Sequence, residues 1–406
     1  MNNKHITDAQ SAVLNLIGHS LFSMPIDLKK DVDWRAVAKE SRTQSVVLLA
    51  FRDYCALPID DELKNSLKSY FKKCAAANIN CYSGHKRLHT IMTENSIPYC
   101  IFKGPVSAWY YPDPLLRNMG DVDFYVSPEN YDAAKAALLR DGFEISGEEN
   151  LFHHVTFKKG ASYFELHPCP VAVPNENMRP LFLEYWSDIF KTSYVVKDVF
   201  GEYVFPSAFL HGFILITHFQ KHLFLSGIGL RHLCDFAVFV NSFSNEEFRE
   251  IFEERFKRAG LWRFAKALSL IAVKYLGMER REWMGDDYAI ADVLLVDILR
   301  GGNFGLAADA DRGNEGMFVS HSKDGGAGKS RLLSMFRYMN KHVKNRWKIV
   351  EKCPLLYPVG WVYFTVRFLF RRIIGKVKVN LFKSYKESAK RIELYNSLKI
   401  FEPEDK

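Results

Sequence analysis

Two aspartates that stand two residues apart, Asp121 and Asp123, are the residues of this chain best suited to hold a metal ion. They open an alternating segment, Asp-Val-Asp-Phe-Tyr-Val, that is typical of a β-strand. On a strand, residues i and i+2 point to the same side, so both carboxylates face one place. Like charges held this close repel unless a cation lies between them, and their hard oxygens suit Mg²⁺ or Mn²⁺. A solvated strand end is the alternative, because this pattern is common.

Two other segments strengthen the metal-site interpretation. Lys103 and Gly104 close a short apolar run and precede a predicted helix, whose backbone N–H groups and dipole can receive phosphate oxygens. Glu165 lies in a second alternating segment, and a third carboxylate from a neighbouring strand would complete a two-metal site. His167 shares the face of Glu165 and is a candidate substrate contact.

The elements that must position these residues alternate between helix and strand. Residues 1 to about 95 have helical periodicity, and short strand-like segments begin at Ile97. Tyr131–Arg140 is predicted as a helix, and strands at His153–Lys158 and Ser162–His167 flank a predicted hairpin turn. Helical periodicity returns from Ser207 onward and includes a segment from Arg280 to Leu299.

This order predicts an α+β fold, in which a small mixed β-sheet is flanked by helices. We divide the chain into five regions. They are a helical N-terminal region (1–95), a core that contains the sheet (96–205), a helical domain (206–300), a flexible Gly- and Asp-rich linker (301–328) and a basic, aromatic C-terminal region (329–406).

Three segments together resemble the nucleotidyltransferase superfamily that includes DNA polymerase beta, and within it the bacterial uncharacterised nucleotidyltransferase family. They are FKGPVSAWYYPDPLLRNMGDVDFYV, YFELH and HFQKHLFLSGIGLRHLCDFAVFV, and the resemblance spans roughly residues 97–240. It implies that 96–205 is the catalytic core. It matches Asp121 and Asp123 to the paired metal ligands, Glu165 to the third carboxylate and Gly104 to the glycine of the phosphate-facing helix.

The implied reaction is attack of an acceptor hydroxyl on the α-phosphate of a nucleoside triphosphate (NTP), with Mg²⁺ or Mn²⁺ as cofactor and pyrophosphate leaving. The chain departs from the superfamily at the helix start, where Lys103-Gly104-Pro105 replaces the usual Gly-Ser. Lys103 and Ser107 are therefore candidate phosphate donors, and Arg117 would neutralise phosphate charge. The acceptor is not identified by the sequence; small molecules, glycan precursors and peptides or proteins all fit. The alternative is a non-catalytic nucleotide- or partner-binding module, such as a toxin–antitoxin component.

A second group of candidate substrate contacts lies in the later helices. His218 and His222 are four residues apart and share a helix face. The segment lacks the glutamate of a His-Glu-x-x-His zinc site, so we expect a hydrogen-bonded cluster with Arg231 and Asp235 that borders the nucleotide cleft.

The charge of the chain is concentrated near its C-terminal end. Residues 329–378 hold 13 Lys and Arg against one acid, whereas the rest of the chain carries a net charge of −4. Three partners fit this basic and aromatic region: an anionic membrane surface, nucleic acid as the least favoured, or the acidic remainder of the protein itself. Seven scattered cysteines and the polar N-terminus indicate a cytoplasmic protein, with peripheral contact at the inner membrane face as an extension of that expectation.

Overall fold

A computed structural model describes most of the chain. The described residues are 6–146, 155–171, 173, 176–224, 226–307, 319, 336, 339–340, 343–344, 346–347, 349–373, 381–400 and 402–404.

The N-terminal region is helical, as predicted. Its helices are α1 (Asp8–Phe22), α2 (Trp34–Thr43), α3 (Val47–Ala50) and α4 (Asp61–Glu94). Side-chain caps explain where the longer helices begin, because Thr7, Asp33 and Asp60 each accept a hydrogen bond from a backbone N–H of the first turn. The 34-residue helix α4 packs against the sheet and so connects the N-terminal region to it.

Five strands form the mixed sheet that the alternating segments predicted. They are β1 (Tyr99–Phe102), β2 (Val122–Val126), β3 (Glu144–Ile145), β4 (Val155–Lys159) and β5 (Ser162–His167), arranged in the order β1-β2-β5-β4-β3. Only β2 and β5 pair in parallel; the other neighbours are antiparallel. Helices α5 (Gly104–Ala108) and α6 (Tyr131–Arg140) lie between the strands in sequence, and α6 has the predicted bounds. The α+β prediction is confirmed.

Helix α4 packs directly against the sheet at a residue without a side chain. A Cβ placed on Gly84 would lie 3.1 Å from Cγ2 of Val122 on β2 and 3.3 Å from the ring of Phe164 on β5. Both of these partners are buried in the apolar core beneath the sheet. Close approach of α4 therefore supports the two central strands, and those strands carry the acidic residues.

A mostly helical region follows the sheet. It begins with α7 (Arg179–Trp186), α8 (Ile189–Thr192) and a hairpin of β6 (Tyr194–Lys197) and β7 (Glu202–Phe205). It continues through α9 (Ala208–Phe224), α10 (Leu230–Asn241), α11 (Asn245–Phe248), a π-helical turn (Arg249–Glu253), α12 (Glu254–Arg258), α13 (Trp262–Ile271), a second π-helical turn (Ala272–Leu276) and α14 (Tyr288–Gly301). The predicted helical segment from Arg280 starts later as a regular helix, because Asp287 caps α14 by accepting from the N–H of Ile290.

The C-terminal region adds α15 (Ile349–Lys352), α16 (Tyr357–Ile373) and α17 (Leu381–Leu398). Buried Arg391 of α17 donates a 2.6 Å hydrogen bond to the carbonyl of Leu223, which ties this helix to α9. Most of the predicted linker, 308–318 and 320–328, lies outside the described residues, and the division of the chain into five regions stays a prediction. Among the helices described, none combines the length and apolar character needed to cross a bilayer.

Candidate active site

The parallel pairing of β2 with β5 places two acidic side chains next to each other. Asp123 and Glu165 are direct partners in the strand register, so they project from the same face of the sheet. His167 follows Glu165 by two residues and lies on that face too. Ligand atoms of these three residues all lie within 4.8 Å of one another, the spacing that one metal ion requires.

Asp123 is the most enclosed of these groups, with a side chain 9% exposed. Its Oδ1 accepts hydrogen bonds from Nζ of Lys103 at 3.0 Å and from Nε2 of His167 at 2.8 Å. Burial alone would raise the pKa of Asp123, but the charges of Lys103 and His167 lower it overall. Burial likewise opposes protonation of His167, and its hydrogen bonds to Asp123 and Glu165 raise its pKa above the usual range. These contacts favour the ionised form of Asp123, which is held by the Lys103 ammonium and the His167 imidazole.

Asp121 is an exposed residue that stands one residue before β2. Its pKa is raised, first by burial and then by the negative charges of Glu165 and Asp123. The Asp121 carboxylate does not belong to the group formed by Asp123, Glu165 and His167. It is nevertheless close enough for the charges of Glu165 and Asp123 to raise its pKa. Two carboxylates with a third beside them form a donor set suited to a hard divalent ion.

The turn between β1 and α5 places Lys103 and Gly104 at the site. Both adopt positive φ, 52° for Lys103 and 44° for Gly104, and a Cβ on Gly104 would lie 3.0 Å from Nε2 of His85 on α4. The positive φ and the close contact both disfavour a side chain at Gly104. Ser107, predicted as a phosphate donor, is buried in α5, and its Oγ has no hydrogen-bond partner among the residues that the structure describes.

Arg117 and Asp235 form a buried bidentate ion pair between the sheet region and α10. The Arg117 nitrogens Nε and Nη2 donate to the two Asp235 oxygens at 2.8 and 2.9 Å, and Tyr111 donates its hydroxyl to Oδ1 at 2.7 Å. Burial would lower the pKa of Arg117, but the Asp235 charge raises it instead. The predicted contacts of both residues with substrate stay predictions. In this arrangement the pair fixes α10 against the turn that carries Gly104, whose carbonyl lies 3.4 Å from Nη1 of Arg117.

The expected hydrogen-bonded cluster of His218 and His222 with Arg231 and Asp235, and the contacts of these residues with substrate, stay predictions. The rings of His218 and His222 lie 4.4 Å apart, and His232 joins them with its ring 6.1 Å from that of His218. Together with Lys103, Arg117 and Asp235, members of this cluster line a narrow pocket between α9 and α10. Lys103 also pairs with Asp123, so its side chain contacts both the pocket and the carboxylates.

His85, His211 and His232 are buried histidines that are absent from the residues predicted from sequence. Burial lowers the pKa of His85 and of His211 to about 3, so both are neutral at physiological pH. A sequence signal existed for His211, because it precedes His218 by seven residues and so lies on the same helix face. No local pattern could have associated His85 with Gly104, since α4 meets that turn only in the folded chain.

A family model described as an uncharacterised nucleotidyltransferase matches residues 30–277. The match includes α4, the five-stranded sheet and the α9–α10 pocket. Neither a curated protein nor a solved structure matches the chain with significance.

Proposed function

Because the chain belongs to the uncharacterised nucleotidyltransferase family, we propose that it transfers a nucleoside monophosphate from an NTP to a hydroxyl-bearing acceptor. The observation that carries this proposal is the register pairing of Asp123 with Glu165 on adjacent parallel strands, with Asp121 close to both. Carboxylates grouped on one sheet face are what a phosphoryl-group transfer with divalent cations requires.

Asp121, Asp123 and Glu165 would hold Mg²⁺ or Mn²⁺, which when bound neutralises phosphate charge and lowers the pKa of the attacking hydroxyl. The spacing of the ligand atoms of Asp123 and Glu165 supports this assignment. His167 adds an imidazole nitrogen to the same cluster, where it orients Asp123 through their hydrogen bond.

The remaining steps fall to side chains and backbone of the chain. The acceptor oxygen forms a bond to the α-phosphorus while the bond from that phosphorus to the bridging oxygen breaks, and pyrophosphate leaves with the bonding electrons. Glu165, which is partly exposed, would accept the proton of the acceptor hydroxyl. Lys103 and Gly104 would face the phosphates, with the Lys103 ammonium as the charged donor, whereas Ser107, which is buried in α5, stays only a predicted donor.

The acceptor class remains open among small molecules, glycan precursors and peptides or proteins. The second candidate is a non-catalytic nucleotide- or partner-binding module, such as a toxin–antitoxin component. The grouping of three carboxylates favours the enzyme. In a module that only binds nucleotide, the like charges of Asp121 and buried Asp123 would repel each other without a role in catalysis.

Incubation of the purified protein with each α-labelled NTP, Mg²⁺ and cell extract tests the proposal. We expect label from one or more NTPs in a new covalent species, and none with the Asp123→Asn variant. The labelled species would identify the acceptor. If wild-type protein binds NTP but transfers no label with Mg²⁺ or Mn²⁺, the binding module is the correct description.

We also propose that α16 touches an anionic membrane surface. Val359, Val362, Val366 and Phe370 follow one face of this helix and are each 55–64% exposed, within the segment that carries the excess of Lys and Arg. An apolar stripe beside basic residues is the pattern of an interfacial helix. Seven free thiols fit a reducing compartment, so we propose a cytoplasmic protein with this peripheral contact.

Flotation with vesicles tests the membrane contact. Wild-type protein should float with vesicles that contain phosphatidylserine and not with neutral vesicles, and Val362→Glu with Val366→Glu should abolish flotation. Val199→Glu is the matched control, because Val199 is 92% exposed but lies in a different part of the chain. Equal flotation of all three proteins would overturn the assignment to α16.

A further inference from the structure

The pocket between α9 and α10 contains more polar donors than its own residues satisfy. Both ring nitrogens of His211, Nε2 of His232 and Nε of Arg231 have no hydrogen-bond partner in the part of the chain that the structure describes. His211 and His232 are only 1% and 2% exposed, so bulk water does not serve them. All three residues line the pocket. Buried polar atoms of this kind are costly unless a ligand or an ordered water satisfies them.

The charge of the pocket is unbalanced as well. Arg117 is neutralised by the carboxylate of Asp235, with which it forms two hydrogen bonds. Arg231 has no carboxylate within salt-bridge distance among the described residues, although its side chain is largely enclosed. Lys103 brings a further positive charge that it shares with Asp123. Three cationic side chains, Lys103, Arg117 and Arg231, line the pocket against the single carboxylate of Asp235 among the lining residues, and this excess of positive charge suits an anion.

We propose that this pocket receives an oxyanion group, a phosphate or a carboxylate, of a substrate, with Arg231 supplying the charge and His232 and His211 supplying N–H donors. That the oxyanion belongs to a substrate rests on the proposed function, whereas the affinity of the pocket for an oxyanion does not. Lys103 lines the pocket and also bonds to Asp123. The bound oxyanion and the carboxylate of Asp123 would therefore be separated by the side chain of Lys103.

Two substrates could supply the oxyanion. One is the NTP, through its terminal phosphate. The other is the acceptor, which would then carry an anionic group of its own beside the hydroxyl that attacks. The second source would restrict the acceptor to phosphorylated or carboxylate-bearing molecules.

Calorimetric titration with inorganic phosphate and with acetate, in the absence of nucleotide and metal, tests the pocket directly. Wild-type protein should bind at least one of them saturably against a chloride background of equal ionic strength, and Arg231→Gln should bind about tenfold more weakly or not at all. Arg140→Gln is the control, because Arg140 is exposed on α6, away from the pocket. Melting curves establish that each variant is folded, and His232→Phe provides a second variant in case Arg231→Gln is not.

Absence of saturable binding to wild type, or equal binding by Arg231→Gln and His232→Phe, overturns the proposal. Titration with a non-hydrolysable NTP and Mg²⁺ separates the sources: weaker NTP binding by Arg231→Gln identifies the triphosphate. Unchanged NTP binding, with phosphate still binding to the NTP-saturated wild type, identifies the acceptor. Asp121→Ala should retain phosphate binding even where it abolishes transfer, so failure of the pocket and failure of the proposed function give different results.

Discussion

Lys103 and Asp123 form an ion pair at the centre of the candidate active site, with Nζ 3.0 Å from Oδ1. The same oxygen is 2.8 Å from Nε2 of His167, so the Lys103 ammonium and the His167 imidazole share one carboxylate oxygen. A divalent ion that binds Asp123 must compete with them for this oxygen. Because Lys103 also lines the α9–α10 pocket, its ammonium could leave Asp123 and bind a phosphate that enters the pocket.

Lys103→Met should therefore separate metal affinity from nucleotide affinity. Removing the ammonium takes away one of the two groups that compete for Oδ1 of Asp123, so Mn²⁺ should bind more tightly by up to about tenfold, equivalent to roughly 1.4 kcal/mol. NTP binding and transfer should fall, because the charged phosphate donor is gone. Calorimetric titration with Mn²⁺ and then with NTP measures both effects. Weaker Mn²⁺ binding by this variant would contradict the competition between Lys103 and the ion.

Glu165→Gln should remove metal binding without removing the fold. The substitution preserves shape but replaces an anionic ligand with a neutral one, and Mn²⁺ affinity should fall by at least about tenfold, since even changes outside the ligand shell cost that much. Glu144→Gln is the matched control, because Glu144 is exposed on β3 of the same sheet. Retention of wild-type Mn²⁺ affinity by Glu165→Gln would exclude Glu165 as a ligand.

The sheet and its acidic face could be predicted because they depend on local patterns. Alternating segments gave β2 and β5, and the expected neighbourhood of Asp123 and Glu165 is confirmed by their pairing in register. The ligand role of Asp121 stays a prediction.

The buried surroundings of that face could not be predicted, because they depend on long-range packing. His85 reaches Gly104 from α4, and Asp235 reaches Arg117 across 118 residues of sequence. The spacing of residues within one segment does not predict contacts between distant segments. Two of the buried histidines also had no strong sequence signal, since a histidine on an apolar helix face looks the same whether it packs in a core or faces a pocket.

Asp235→Asn should destabilise the fold strongly. It leaves the buried Arg117 guanidinium without a counter-charge, which typically costs about 3–5 kcal/mol. Glu184→Gln is the matched control: Glu184 forms an equally bidentate pair with Arg258, but both side chains are more than half exposed. An exposed pair contributes about 0–1 kcal/mol. Urea unfolding measures both variants, and a similar loss from each would show that burial of the Arg117–Asp235 pair is not what matters.

Stability should fall on mild acidification because of the buried neutral histidines. Burial lowers the pKa of His211 to about 3, whereas an unfolded histidine titrates near 6.5. Between these values the unfolded chain binds the extra proton, so folded stability is present above the unfolded pKa and is lost as the pH falls. His211→Phe, which keeps an aromatic ring stacked on Tyr110, should lose about 2 kcal/mol less than wild type between about pH 7 and pH 5. Urea midpoints at the two pH values give the difference, and parallel losses would mean that His211 is not buried as a neutral group.

Gly104→Ala should impair both the fold and the reaction. Its φ of 44° is unfavourable for a residue with a Cβ, and the added atom would meet Nε2 of His85 at 3.0 Å. We expect a loss of about 1–3 kcal/mol and a displaced Lys103, hence weaker NTP binding. Gly120→Ala is the control, because a Cβ there meets nothing within 4 Å and its φ is not in the positive region. Adding His85→Ala to Gly104→Ala should recover the part of the loss due to contact but not the part due to backbone strain. Thermal unfolding and NTP titration of the three variants measure these two parts, and full stability of Gly104→Ala would show that the turn tolerates a side chain.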